Sequence, residues 1–211
     1  MEIRWYGHAC FEIRSGISLV IDPHDGRSIG IKPPRAKADL VLVTHHHFDH
    51  NATRVIKGNF EVIDSPGEYE YEGIKIKGIM AYHDKEMGAK RGKVTMFRIE
   101  SEGIKLLHMG DLGHVISSEM AKEIGPVDIL FIPVGGVYTV DAREAYENTK
   151  ILNPKIVVPM HYKFNGLTLG LAPVDDFLRF FPEGQVTYVG NSIEFSREDL
   201  PKNTQVWVFT L

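Results

Sequence analysis

The sequence predicts a four-layer α/β/β/α sandwich, in which helices cover the outer faces of two packed β-sheets. Apolar runs at 40–43 (LVLV) and 129–132 (ILFI) are typical of strands that are buried on both faces. The segments that precede these two runs follow one pattern, which indicates two related β-rich halves. Sheets built by two such halves should pack face to face, with their strand ends meeting at one edge.

The repeat begins with a hairpin, which residues 9–21 predict for the first half. The residues that recur are Phe11, Ile13, Ser15, Gly16, Ile17 and Leu19, matched by Phe97, Ile99, Ser101, Gly103, Ile104 and Leu106. Each copy ends at an aspartate, Asp22 or Asp111. A second aspartate, Asp39 or Asp128, follows seventeen residues later, directly before the apolar run. Chance similarity between two hairpins is the alternative, because short apolar patterns recur readily.

Two helices are predicted in the second half of the chain. The first covers 141–152, where Asp141 is the expected N-cap and Glu144 completes a capping box. The second covers 173–181, with Pro173 in its first turn.

Length and composition restrict the class of protein. The chain has 211 residues, of which 43% are hydrophobic and 25% charged, so we expect one globular domain over residues 1–211. No apolar run approaches the roughly 18 residues of a membrane span, and the N-terminal segment is charged, so we expect a cytoplasmic protein without a membrane partner. A net charge of -4 disfavours general binding to nucleic acid. The sequence carries no signal of the oligomeric state.

Residues 44–50 (THHHFDH) are the most informative segment for function. Four histidines and one aspartate directly follow the apolar run LVLV, at the expected edge of a sheet. Such a cluster can converge on a metal ion, and the single cysteine, Cys10, leaves nitrogen and oxygen as the ligands. A solvated polar loop, or one or two buried structural histidines, is the alternative, but it must account for all of these residues together.

The spacing of residues 45–50 resembles the His-x-His-x-Asp-His signature of the metallo-β-lactamase superfamily. The downstream residues that match the family's order are His83, Asp111 and His161, each at the end of an apolar, strand-like run. The likeness extends over nearly the whole chain, at 5–11, 21–23, 133–142 and 159–162. These segments are similar to the branch that includes ascorbate-6-phosphate lactonase. The resemblance implies the metallo-β-lactamase fold and a metal-dependent hydrolase.

The resemblance also implies a dinuclear metal site. The ligands implied for one metal are His45, His47 and His83. Those implied for the other are Asp49, His50 and His161, with Asp111 bridging the two metals. Zinc is the expected cation, with manganese and iron as alternatives, because all three accept nitrogen and oxygen ligands. His46 stands at the variable position of the signature and is not expected to bind metal.

This ligand set predicts hydrolysis by a hydroxide that bridges the two metals. Asp49 is the candidate catalytic residue, because it could orient or deprotonate the attacking water. His8 and Asp22 could brace the ligand imidazoles, although His8 could equally be a strand-end residue and Asp22 part of a turn. His114 could reach the substrate or simply face solvent at the start of a helix.

Two basic loops flank the ligand segments. Their members are Arg27, Lys32, Arg35 and Lys37 in one loop, and Lys85, Lys90, Arg91 and Lys93 in the other. They suggest an anionic small-molecule substrate, although charged loops are often merely solvated. The leading hypothesis is therefore a hydrolase of a small lactone, ester or phosphoester. A nuclease or phosphodiesterase and a non-catalytic metal-binding regulator are the alternatives.

Overall fold

The computed structural model describes residues 1–211, and most of its regular structure is β-strand. The strands are β1 (Glu2–Trp5), β2 (Phe11–Ser15), β3 (Ile17–Ile21), β4 (Leu40–Leu42), β5 (Glu61–Ile63), β6 (Gly67–Tyr71), β7 (Ile74–Tyr82), β8 (Lys93–Ser101), β9 (Ile104–His108), β10 (Ile129–Pro133), β11 (Ile156–Met160), β12 (Val186–Tyr188), β13 (Ser192–Glu194) and β14 (Gln205–Val208). The α-helices are α1 (Ser118–Ile124), α2 (Ala142–Leu152) and α3 (Asp175–Leu178). Short 3-10 turns occur at Arg27–Ile29, Thr53–Val55, Glu183–Gln185 and Arg197–Asp199.

The strands form two mixed sheets. The first has six strands in the order β13-β1-β2-β3-β4-β5, and the second has eight in the order β12-β14-β11-β10-β9-β8-β7-β6. Side chains of both sheets share one apolar core, in which Phe11 of β2 packs against Phe131 of β10 with ring centroids 4.7 Å apart. This two-sheet sandwich confirms the predicted fold class.

The predicted repeat is visible in the strand register. In the first half Phe11 pairs with Ile21 and Leu19 with Leu40, and in the second half Phe97 pairs with His108 and Leu106 with Ile129. Each half is thus an antiparallel hairpin followed by a parallel strand in the same relative register. The ends of β4, β9 and β11 bring the ligand-rich loops toward one edge of the sandwich.

One of the two predicted helices is confirmed, and the other is shorter than predicted. Helix α2 has Asp141 as its N-cap and a complete capping box with Glu144, which confirms that prediction. Helix α3 covers only Asp175–Leu178, so the prediction of a helix over 173–181 was too long. Beyond it, Phe180 and Phe181 bond to carbonyls three residues back, and Pro182 follows, so the chain tightens and stops.

The outer layers also differ between the halves. All three α-helices follow β9 in the chain, whereas loops and 3-10 turns cover the outer face of the first sheet. There the buried side chains of Val20, Val41 and Val43 pack against Ala38 and Ile56. None of the three helices has the length and apolarity that a bilayer crossing requires.

Candidate metal centre

The loop 44–50 leaves strand β4 and is fixed by Asp22, which follows the neighbouring strand β3. The Asp22 carboxylate accepts hydrogen bonds from the Thr44 backbone N–H at 2.8 Å, from the Thr44 hydroxyl at 2.7 Å and from His50 Nδ1 at 2.9 Å. Asp22 is fully buried and adopts a left-handed backbone conformation with φ 48°. A buried carboxylate with three donors is well satisfied, so it holds the start and the end of the loop in one position.

These contacts fix which ring nitrogen of His45 and of His50 faces the centre, because each engages the Nδ1 atom. Because the Thr44 hydroxyl gives its proton to Asp22, it can only accept from His45 Nδ1, which lies 2.9 Å away. His45 Nε2 and His50 Nε2 are both buried and make no hydrogen bond. Burial, followed by the nearby charge of His50, lowers the pKa of His45 to about 3, so its imidazole is neutral at pH 7. His45 therefore presents an Nε2 lone pair without a partner, which is what a metal ligand requires.

Two groups of candidate ligands converge at this edge. The donor atoms of the first group lie within 4.8 Å of one another, and its members are His45, His47 and His83. The same limit holds for the second group, whose members are His8, Asp49, His50 and His161. The first is the predicted trio for one metal, and the second is the predicted trio for the other with His8 added. These assignments as ligands remain predictions.

Asp111 stands between the two groups. It is 2% exposed and follows Gly110, where a Cβ would lie only 2.7 Å from the Thr44 hydroxyl oxygen, so this close approach requires glycine. The Nε2 atoms near its carboxylate belong to His161 at 3.2 Å, His83 at 3.3 Å, His50 at 3.3 Å and His45 at 3.7 Å. Asp111 Oδ1 makes no hydrogen bond. Its position between the groups is the one that a bridging carboxylate would need.

Electrostatics at the centre favour positive charge. Burial lowers the pKa of His50, but the carboxylates of Asp111, Asp22 and Asp49 outweigh it and hold that pKa well above its ordinary value. Burial raises the pKa of Asp111, but His161 and His50 outweigh burial and hold it well below its ordinary value. Three buried carboxylates around one imidazole, together with unpartnered Nε2 atoms, fit divalent cations.

His8 lies inside the second group because several contacts hold the loop between β1 and β2. Its Nε2 is 2.9 Å from Asp49 Oδ2, and its backbone adopts φ 55°. Its carbonyl accepts from the Trp5 indole at 3.1 Å. The buried rings of His24 and His108 contact the carbonyls on either side of it, those of Tyr6 and Ala9, each at 3.0 Å. His8 thus contacts Asp49 directly and Asp22 contacts His50, as bracing residues would.

The remaining two histidines of interest do not join either group. The side chain of His46 is 66% exposed and lies 3.2 Å from Asp64, outside the centre. The ring of His114 contacts the Tyr82 backbone N–H at 3.3 Å and the Val115 carbonyl at 3.0 Å, and it does not line the cavity over the ligand groups. The structure therefore does not bring His114 together with the other candidate site residues.

Sequence reasoning missed Asp84, which organises the loop after His83. Its carboxylate accepts four backbone N–H groups, those of Glu86, Gly88, Lys90 and Arg91, at 2.7 to 2.9 Å. Burial raises the pKa of Asp84, but these donors outweigh it and lower that pKa to about 2. An aspartate at the start of a loop containing two glycines was the available signal, because aspartate commonly accepts nearby backbone N–H groups.

A cavity of about 370 Å³ lies over the two ligand groups. The residues that line it are His47, Phe48, Asp49, His83, Arg91, Asp111, Tyr138, His161 and Leu169. The two basic loops relate to it differently. Arg91 of the second loop lines the cavity, whereas Lys32, Arg35 and Lys37 of the first loop line other surface depressions.

Comparison with known proteins places the chain among metal-dependent hydrolases. Residues 2–161 match the sequence family described as the beta-lactamase superfamily domain. A metal-dependent hydrolase of Thermoplasma acidophilum is 33% identical, in a match that covers 77% of this chain and 83% of that protein.

Solved structures agree with the sequence comparisons. A Thermotoga maritima protein, assigned to the zinc-dependent hydrolases of the metallo-β-lactamase superfamily, superposes with a TM-score of 0.82 at 42% identity, over 99% of this chain and 97% of that one. A metallo hydrolase of Ignicoccus hospitalis superposes with a TM-score of 0.64 at 24% identity, over 85% and 89% of the two chains, and supports the fold alone. The likeness to the ascorbate-6-phosphate lactonase branch stays a prediction.

Proposed function

The chain belongs to the metallo-β-lactamase superfamily of metal-dependent hydrolases, and from this premise we propose that it binds two divalent cations, by default zinc, and hydrolyses a small anionic lactone, ester or phosphoester. The observation that carries the proposal is the set of buried imidazole nitrogens that lack a hydrogen bond and approach Asp111 from both ligand groups. Leaving such atoms unpaired is costly unless another partner satisfies them.

The proposed ligands follow the two groups. His45, His47 and His83 would hold one cation, and Asp49, His50 and His161 would hold the other. Asp111 would supply negative charge to both. When bound, two such cations polarise a carbonyl or phosphoryl oxygen and lower the pKa of a bound water.

The chain's own residues position this chemistry. Asp49 would orient the attacking water, since His8 Nε2 fixes its Oδ2 at 2.9 Å and leaves the carboxylate facing the cavity. Asp22 and Thr44 keep His50 and His45 in the tautomers that present Nε2. Phe48 and Leu169 contribute apolar surface to the same cavity.

The first test measures metal content together with activity. Protein treated with chelator and then reconstituted with zinc should hold close to two equivalents and hydrolyse members of a panel of lactones, esters and phosphoesters. His47→Ala should lose metal and activity. His46→Ala is the matched control, because its exposed imidazole stands in the same segment outside both ligand groups.

The outcomes separate the alternatives. Failure to bind metal in excess zinc would refute the proposal. Two bound metals with no turnover of any substrate would favour a metal-binding regulator. Turnover of bis-p-nitrophenyl phosphate and oligonucleotides, with none of small lactones or esters, would favour a nuclease or phosphodiesterase.

A further inference from the structure

We propose that Arg91, stacked on Tyr138 in the cavity over the ligand groups, binds the anionic oxygen group of the substrate, a carboxylate or phosphate, and so determines specificity. This inference rests on the proposed hydrolytic function, which it deepens by naming the substrate group that is recognised and the residue that recognises it.

Arg91 differs from Lys85 and Lys90 of the same loop in having no acidic partner. Lys85 forms an ion pair with Glu144, and Lys90 forms one with Glu86 at 2.6 Å. Arg91 takes part in no ion pair within 4.0 Å and lines the cavity in which Asp49 and Asp111 lie. Apart from histidines, it is the only basic side chain lining that cavity. Its guanidinium donors therefore remain available to a ligand.

Tyr138 fixes the orientation of the guanidinium. Arg91 Cζ lies 4.2 Å from the centroid of the Tyr138 ring, a cation–π contact that occupies one face of the guanidinium group. The N–H donors lie in the plane of the group, along its edges, so stacking leaves them free. This planar fork matches the oxygens of a carboxylate or phosphate in a bidentate manner, which a lysine cannot do.

Backbone hydrogen bonds hold both Arg91 and Tyr138 in position. The N–H of Arg91 donates to Asp84 at 2.7 Å, which ties the residue to the loop that begins next to His83. The N–H of Tyr138 donates to the Gly136 carbonyl at 2.7 Å, across Val137 at φ 63°. A β-branched residue in the left-handed region is strained, and such strain tends to persist where a site depends on it.

The size and lining of the cavity restrict the substrate further. A volume of about 370 Å³ suits a small molecule. Apolar surface comes from Phe48, which is 58% exposed, and from Leu169. The substrate class that fits is a small ester, lactone or phosphoester with one anionic group for Arg91 and a short apolar portion.

The test compares Arg91→Met with Lys93→Met in zinc-loaded protein. Both substitutions remove one exposed positive charge from neighbouring positions, but Lys93 does not line the cavity. The substrates are paired esters of one alcohol, whose acyl chain ends either in a carboxylate or in its methyl ester. Arg91→Met should raise KM for the carboxylate ester at least about tenfold more than it raises KM for the neutral ester, with a smaller effect on kcat than on KM. Lys93→Met should change KM less than about twofold, and Arg91→Lys should be intermediate.

Measurements of ligand binding test the inference independently of turnover. Calorimetry with succinate and with inorganic phosphate should show weaker binding to Arg91→Met than to Lys93→Met, and the larger loss identifies the preferred group. Equal effects of the two variants would indicate only a general electrostatic field and would overturn the inference, as would an equal loss on charged and neutral esters. If wild-type protein binds metal and turns over esters while Arg91→Met keeps the wild-type preference for the charged over the neutral ester, the hydrolase proposal stands and this inference fails.

Discussion

Asp22 and Asp111 follow corresponding strands of the two halves, Asp22 directly after β3 and Asp111 three residues after β9, and their surroundings differ. Each follows the second strand of its hairpin and is buried. Asp22 accepts hydrogen bonds from Thr44 and His50, whereas Asp111 Oδ1 makes none and four imidazole nitrogens surround the carboxylate. The repeat therefore supplies a carboxylate twice, and the neighbouring loops decide its role. Where they donate hydrogen bonds the aspartate is a brace, and where several imidazoles converge on it from both ligand groups it becomes a candidate metal bridge.

The strongest test of this difference is Asp111→Ala. Because Asp111 contacts both ligand groups, we expect the variant to lose both metals together and to lose activity by roughly 10³-fold or more, since Lewis-acid stabilisation is worth several kcal/mol. Metal analysis after reconstitution gives the occupancy. Loss of one metal only would make Asp111 a terminal ligand, and full retention would remove it from the centre.

Asp22→Ala should mainly lower the stability of the fold. Removing this carboxylate leaves three buried donors without an acceptor, so we expect the metal-free protein to lose about 3 kcal/mol or more of unfolding free energy. Metal affinity should fall about 10–100-fold, because His50 loses the partner that orients it. Urea unfolding of metal-free protein provides the comparison, in which Asp111→Ala should cost less than Asp22→Ala. The reverse order would contradict the assigned roles.

Much of the fold could be predicted because its signals are local or repeated. The buried strands at 40–43 and 129–132, the hairpin turn at Ser15 and the capped helix α2 each follow from a short pattern. The short helix α3 could not be predicted, because i→i+3 bonding after it depends on how its aromatic residues pack. Phe180 stacks on Tyr146 of α2 at 4.9 Å, a contact that no local pattern specifies.

The candidate site also contains residues that could be predicted from the sequence and residues that could not. The candidate metal ligands could be proposed because they match a family signature, and the structure brings all seven of these residues to one edge. The roles of Thr44 and of the stack of Arg91 on Tyr138 could not, because each depends on a contact with a segment distant in the sequence, whereas Asp84 left a local signal in the glycine-containing loop that follows it. The two basic loops looked equivalent in sequence, and only packing distinguishes Arg91 from residues that form ion pairs with glutamates or lie elsewhere.

The dependence of stability on acid pH provides a further comparison between the halves. Each half contributes one buried histidine, His24 or His108, that contacts a backbone carbonyl in the loop around His8. Burial lowers the pKa of His24 from 6.5 to about 4. Between pH 4 and 6.5 the unfolded chain therefore binds more protons at His24 than the folded chain does. The contribution of His24 to the unfolding free energy is complete above pH 6.5 and is lost as the pH falls to 4. The loss amounts to at most about 3 kcal/mol. His24→Gln, whose amide can still donate to the Tyr6 carbonyl, should lose less. Unfolding free energies of metal-free protein at pH 7, 5.5 and 4 measure this, and parallel curves for the two proteins would contradict it.

The smallest expected effects come from the one pair of aspartates that the halves use in the same way. Asp39 accepts the Ser18 backbone N–H at 2.9 Å, and Asp128 accepts the Lys105 backbone N–H at 3.0 Å, each fixing the parallel strand that follows to its hairpin. Since both are half-buried, Asp39→Ala and Asp128→Ala should each lower the unfolding free energy by about 1 kcal/mol and leave metal content unchanged. The ion pair of Asp128 with Lys155 at 3.2 Å lies at the surface, with 45% of the Lys155 side chain exposed, and should add only a few tenths of a kcal/mol. Asparagine at either position retains an acceptor oxygen and should cost less than alanine. A difference of more than about 2 kcal/mol between the two alanine variants would show that the halves share a register without sharing the energetics that maintain it.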